Sequence, residues 1–247
     1  MNTRLTTIIV LILVLAATVA GLSLWSRLPE QMASHWNVND QVDGYMSKIW
    51  GVLLMPLITL GMFLLFLVIP NIDPLKANIA QFRDALNLFI VLIVGFMIYV
   101  HTLTLLWNLG YTNFGLGKAM MPALGVLFIF VGYMLRKAKR NFFIGIRTPW
   151  TLSSDRVWAE THRIGAVLFT ISGVLALLGS FFGGLTAFVM IMVPLLGSTL
   201  FLVIYSYVLY RRETNAACKE HPCKNQDRKE DRALENLERD QHGERDR

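Results

Sequence analysis

Six long apolar runs separated by short polar segments organise the first 210 residues: Leu5–Ser26, Ile49–Pro70, Ala85–Leu109, Ala119–Leu135, Ile164–Gly183 and Thr186–Tyr210. A helix rises about 1.5 Å per residue, so roughly 20 apolar residues cross about 30 Å of hydrocarbon. Backbone groups in lipid must bond among themselves, which leaves helices or closed barrels, and these runs lack the alternation of barrel strands. The pattern predicts an all-α membrane protein, a bundle of six transmembrane helices. Gly183-Gly184-Leu185 predicts a tight hairpin between the last two. Ser172-Gly173 with Ala176, and Gly179 with Gly183, predict where helices approach closely, because small residues let backbones meet.

Of the 247 residues, 54% are apolar and 16% charged, and the mean hydropathy is +0.49. A soluble domain has about 45–50% apolar and about 25% charged residues, so a dissolved enzyme is disfavoured. Residues 1–210 hold 13 Lys/Arg and 7 Asp/Glu, and the last 37 hold 10 of each, so the whole net charge of +6 lies in the apolar body. A basic, apolar body points to a membrane before it points to nucleic acid, and no direct nucleic-acid binding is expected.

Lys and Arg in short loops orient such a chain. Arg4, Lys76, Arg83, the stretch from Arg136 to Arg163 and the tail from Arg211 lie on one side, and Arg27, Lys48 and Lys118 on the other. Both termini are therefore expected in the cytoplasm. The first run also has the outline of a signal peptide, with Thr18-Val19-Ala20 before a cleavage point, but it continues to Trp25, beyond a signal core of about 7–15 residues. Retention is expected.

None of the six runs contains Asp, Glu, Lys or Arg. A mid-bilayer charge costs about 2.5–3.5 kcal/mol and marks ion or proton pathways, so a pump built on buried carboxylates is disfavoured. His101 is the exception in kind, and the expected role is an interhelical hydrogen bond. Cys218 and Cys223, with His221 between them, lack the Cys-x-x-Cys spacing and a second ligand pair, so no metal and no cofactor are expected.

Two polar segments carry candidate chemistry. The outer loop, 27–48, holds His35, Trp36, Asn37, Asp40, Asp43 and Tyr45; Asp43-Gly44 is a turn signal. Either a compact interfacial loop or a binding surface fits these residues. The inner segment opens with Arg136-Lys137-Ala138-Lys139-Arg140, suited to anionic headgroups. It continues through Phe142-Phe143-Ile144-Gly145-Ile146-Arg147-Thr148-Pro149-Trp150, apolar enough to lie on the membrane and too short to cross it. Ser153 is the expected N-cap of a helix entering the fifth span, with Asp155 in its first turn. Asp155, Trp158, His162 and Gly165 then share one face. They present a carboxylate, an indole and an imidazole at the inner surface, for membrane anchoring or for docking a partner. No nucleophile paired with a base, phosphate loop or metal cluster accompanies them, so no enzyme is expected.

The segment Asn141 to Arg163, with Gly145-Ile146-Arg147-Thr148-Pro149-Trp150-Thr151-Leu152 and Trp158, Thr161, His162 and Arg163, resembles the signature of the SdpI family of bacterial membrane immunity proteins. Leu28-Pro29 through His35-Trp36-Asn37 to Asp43-Gly44-Tyr45 and Lys48 resembles the amino-terminal module that often precedes it. The resemblance implies a multi-pass protein of the bacterial cytoplasmic membrane. It divides the chain into an amino-terminal membrane module (1–110), an SdpI-like module (111–210) and a charged, disordered cytoplasmic tail (211–247) that is not part of the family pattern. It implies resistance to a secreted antimicrobial peptide, and signalling by holding a transcriptional repressor at the membrane. On that basis His35, Trp36, Asn37, Asp43 and Tyr45 are the candidates for toxin contact. Arg147, Thr148, Pro149, Trp150, Asp155, Trp158 and His162 are the candidates for a cytoplasmic partner. A small-solute or peptide transporter is the alternative. A membrane-embedded enzyme using His35, Asp40 and Asp43, or Asp155 and His162, stands behind both.

Overall fold

The computed structural model describes residues 1–220, with side chains to Ala216. His221, Cys223 and the tail beyond Glu220 lie outside the described residues, and of Cys218 only the backbone, in the last turn of a helix, is described. Among those described, six helices are long and apolar enough to span a membrane. They are α1 (Thr3–Ser23), α2 (Lys48–Ile72), α4 (Arg83–Asn108), α5 (Leu116–Lys137), α7 (Asp155–Gly179) and α8 (Gly184–Glu220), with the short helices α3 (Lys76–Gln81) and α6 (Pro149–Ser153) between them. Outward-facing Leu, Ile, Val and Phe cover much of this bundle, as they must where lipid is the solvent. The chain is a multi-pass membrane protein.

The helices run past the apolar limits where polar ends find partners. The sixth does not stop at Tyr210 but continues to Glu220, and Glu213 in this extension accepts a bond from Ser154 Oγ at 2.7 Å. The tight hairpin before it forms as expected, with Gly183 and Gly184 at φ 138° and 54°.

An interior of Val10, Val14, Phe63, Ile90 and Val94 joins α1, α2 and α4, and Met134 and Trp158 extend it to α5 and α7. α5 and α7 pack most closely, through glycine. A Cβ on Gly125 would lie 2.8 Å from the Gly173 carbonyl oxygen, and one on Gly173 would lie 2.6 Å from that of Gly125. Gly173 and the buried Ala176 are small residues the sequence singled out; it did not single out Gly125, which faces Gly173 from α5, or Gly132, which lies against Ala166 and Thr170.

The six crossings place the two ends of the bundle. At one lie Met1, α3, the 138–154 segment and the end of α8. At the other lies an antiparallel hairpin of β1 (Gln31–Trp36) and β2 (Val42–Ser47), an element absent from the all-helical expectation. Its turn is at Asn37–Gln41, where the Asn37 side-chain oxygen accepts the Asn39 and Gln41 N–H groups. The expected turn at Asp43-Gly44 is not there. Both residues lie in β2, and Gly44 is opposite His35, where a Cβ would come within 2.9 Å of the His35 Cβ.

Candidate functional site

The hairpin is fixed to the helices by side chains that bond to backbone. Asn108, at the end of α4, accepts the Ala33 N–H at 2.8 Å and donates to the Ala33 carbonyl at 3.0 Å. Met32 is fully buried over Gly51 of α2. Lys48 is buried, with Nζ 2.7 Å from Glu30 and 5.5 Å from the Trp25 ring. At the tip, Asp40 takes a positive φ of 59° and its carboxylate accepts the Gly117 N–H at 2.6 Å, in the first turn of α5. A carboxylate there meets both an unpaired donor and the positive end of the helix dipole.

The clamped tip divides the end of the bundle into two clefts. One of about 430 Å³ lies toward α2 and α4 and is lined by Trp36, Met46, Trp50, Met55 and Met120; the other, of about 310 Å³, is lined by Val38, Met121, Ala187 and Phe188 of the tip, α5 and α8. His35, Trp36, Asn37 and Asp40 border both. Trp36 stacks edge-on against Trp107 at 5.7 Å, and Trp107 against Phe114 at 5.9 Å. His35 pairs with Asp43 on the exposed side of the hairpin, and Tyr45 is also exposed. Thus His35, Trp36 and Asn37 gather at the clefts, whereas Asp43 and Tyr45 stand on the outer surface of the strands. Asp40, Asn108 and Gly117, which set the geometry, have no local pattern linking them.

At the opposite end the 138–154 segment folds around Asn141, Asp73 and the Thr148–Thr151 pair. Asn141 is wholly buried. Its oxygen accepts the Phe143 and Ile144 N–H groups at 2.9 and 2.6 Å, and its amide donates to the Lys139 and Ile144 carbonyls at 2.8 and 2.9 Å. Asp73, buried at the end of α2, accepts the Leu75 and Phe142 N–H groups at 2.6 and 2.9 Å. Thr148 and Thr151 form a capping box at the start of α6, where Pro149 occupies the first helical position, and Thr148 Oγ1 lies 3.0 Å from Ser206 Oγ of α8.

The N-cap of α7 is Ser154, whose Oγ accepts the Val157 N–H at 3.3 Å, and not Ser153, which ends α6. Asp155, Trp158 and His162 do share a face, but only Asp155 is exposed. Trp158 and His162 are 3% and 2% accessible, so they do not present an indole and an imidazole at the surface as expected. Trp158 Nε1 donates to the Ala138 carbonyl at 3.0 Å, and the His162 ring stacks on it at 3.9 Å. His162 Nδ1 contacts the Trp158 carbonyl at 2.8 Å, while Nε2 accepts the Ile146 N–H at 3.0 Å. The two rings are a mould for the loop. Gly145, at φ 112°, lies directly against them.

The outward side of this end carries Arg147, which donates to the Phe142 carbonyl at 2.7 Å, Pro149, and the half-buried Trp150 packed on Tyr207 at 5.0 Å. Asp155 meets Arg140 Nε at 2.7 Å, and Arg140 Nη1 donates to the Leu152 carbonyl at 2.8 Å. His101 is buried without a hydrogen-bond partner and packs near Gly21 of α1, so the expected interhelical bond is not made. Among the described residues, no group of three His, Cys, Asp or Glu is placed to hold a metal.

Residues 137–206, containing the whole of this loop, match the family model of the SdpI/YfhL protein family, and residues 12–60, containing the hairpin, match that of a domain of unknown function, DUF1648. The chain is 26% identical over 205 residues to Immunity protein SdpI of Bacillus subtilis (strain 168), covering 83% of this chain and 96% of that protein. No solved structure matches it.

Proposed function

We propose, from the match of residues 137–206 to the SdpI/YfhL family model and the likeness to Immunity protein SdpI, that this chain is a membrane immunity protein giving resistance to a secreted antimicrobial peptide, with its hairpin end outside the cell and the 138–154 loop in the cytoplasm. The observation that carries this is its likeness to Immunity protein SdpI over nearly the whole of that protein, both ends of the bundle included. The charge bias of the loops supports this orientation.

The hairpin end suits contact with a peptide. Two clefts flank a hairpin held at its first strand by Asn108 and at its tip by Asp40, so the contact surface is ordered before binding and loses little entropy on engagement. His35, Trp36 and Asn37 meet the peptide at the clefts, with Asp43 and Tyr45 on the strand face. On the cytoplasmic side Arg147, Pro149, Trp150 and Asp155 face a protein partner, a transcriptional repressor held at the membrane. Thr148, Trp158 and His162 shape that surface from beneath. Peptide contact outside changes the inner surface only through different affinities for two arrangements of the bundle.

The test is growth of a peptide-sensitive bacterium expressing this chain and challenged with the secreted peptide of the organism the chain comes from. Protection at peptide doses that stop the empty-vector strain, lost in a Trp36→Ala, Asn37→Ala double variant that still reaches the membrane, is the expected result. Equal killing with and without the chain would refute the immunity function.

A further inference from the structure

At the end of the bundle bearing the 138–154 loop, a cleft of about 670 Å³ opens between α3, the end of α5 and the first turns of α7. Of the outward residues assigned to a protein partner, Arg147, Pro149 and Trp150 do not line it, and Asp155 alone borders both. Four cations border it, Arg136, Lys139, Arg140 and Arg163, against one carboxylate, Asp155, so the lining carries an excess of three positive charges. Asp155 is already engaged by Arg140, and Arg163 binds Glu160 at 2.7 Å. Among the described residues neither Arg136 nor Lys139 meets a carboxylate. The floor is rigid, because Trp158 and His162 there are hydrogen-bonded to Ala138 and Ile146.

A concave site with several convergent cations fits a phosphate, which accepts charge-assisted bonds on each of its oxygens. The surroundings distinguish a lipid phosphate from a dissolved one. Arg163 lies one turn before an outward apolar stripe of α7, Val167, Ile171, Val174 and Leu178, each between 44% and 54% accessible. A headgroup seated in the cleft would leave its acyl chains along that stripe, within the hydrocarbon. Basic pockets between helix ends are a recognised setting for anionic headgroups.

We propose that this cleft is a binding site for the phosphate headgroup of an anionic phospholipid, held by Arg136, Lys139 and Arg163. The proposal does not depend on immunity function. It differs from a diffuse attraction of basic loops to anionic membrane, because it predicts a small, fixed number of retained lipids that depends on these three side chains and not on charge elsewhere.

The experiment is native mass spectrometry of the full chain released from nanodiscs of equal phosphatidylglycerol and phosphatidylcholine. It compares the wild type, the triple variant Arg136→Gln, Lys139→Gln, Arg163→Gln, and the remote variant Arg4→Gln, Lys118→Gln. A matched variant, Arg136→Lys, Lys139→Arg, Arg163→Lys, keeps the charge and guards against misfolding. The expected result is one or two phosphatidylglycerols retained by the wild type, the remote variant and the charge-keeping variant, and at least a fivefold lower retained fraction in the triple variant. Retention unaffected by the triple variant, or lowered equally by the remote one, would overturn the proposal. A separate arm titrates inorganic phosphate and glycerol phosphate in neutral detergent. Saturable binding of either at least as strong as that of short-chain phosphatidylglycerol would assign the cleft to a soluble phosphate and overturn the lipid assignment.

Discussion

His162 lies flat on Trp158, ring centroids 3.9 Å apart and planes within 18°, and the stack faces Gly145 at φ 112°. A side chain at Gly145 is excluded twice, by the backbone conformation and by the imidazole in the space it would fill. Gly145→Ala is therefore expected to cost about 1–3 kcal/mol, the range for a non-glycine residue held in a disfavoured backbone region. A lower midpoint in thermal unfolding of detergent-solubilised protein checks this; an unchanged midpoint would mean that the loop is not moulded on the two rings.

Asn141 satisfies two N–H groups and two carbonyls at once. Asn141→Ala strands these groups, at about 1–3 kcal/mol for each one left buried and unpaired. Asn141→Asp keeps the acceptor but turns a carboxylate oxygen toward the Lys139 and Ile144 carbonyls, so it is expected not to rescue stability. Hydrogen exchange at Phe143 and Ile144 should accelerate in both variants.

The two kinds of glycine in the spans separate helix contact from helix propensity. Gly125→Val and Gly173→Val push a side chain into the facing backbone of α7 or α5, and both are expected to lower the unfolding midpoint and the yield of monodisperse protein. Gly61→Ala, in α2 with nothing within 4 Å, is expected to be neutral or to stabilise by about 0.5–1 kcal/mol. Equal loss in all three would deny that α5 and α7 meet through glycine.

Asp40 reaches from the hairpin tip to the first turn of α5. Asp40→Ala is expected to cost about 1 kcal/mol, as for loss of a capping side chain, and to loosen the tip more than the helices. Proteolysis in the Asn37–Gln41 turn, limited in the wild type, should quicken several-fold.

The sequence makes the six spans legible because the thickness of hydrocarbon imposes a length on every run, whatever the rest of the chain does. Gly183-Gly184 and Gly173 with Ala176 are legible for a similar reason, since a turn or a close helix contact leaves few choices of residue. What escapes is polar side chains bonded to distant backbone. Asp73 binds the Phe142 N–H 69 residues away, and Asp40 that of Gly117 77 residues away, with no spacing to betray them. The stripe of Asp155, Trp158 and His162 is correctly placed on one face, yet periodicity cannot say that the 138–154 loop covers two of the three. The hairpin is hidden because its turn uses Asn37 through Gln41, while the stronger local signal, Asp43-Gly44, serves a close approach between strands.

The orientation of the bundle is tested most directly by cysteine labelling in intact cells, in a chain whose Cys218 and Cys223 are replaced by serine. Tyr45→Cys and Arg147→Cys mark the two ends. With the hairpin facing a peptide from outside and the loop facing a partner within, a membrane-impermeant maleimide should label position 45 in whole cells and position 147 only after lysis. Labelling of position 147 in whole cells, with position 45 protected, would invert the protein and contradict the account.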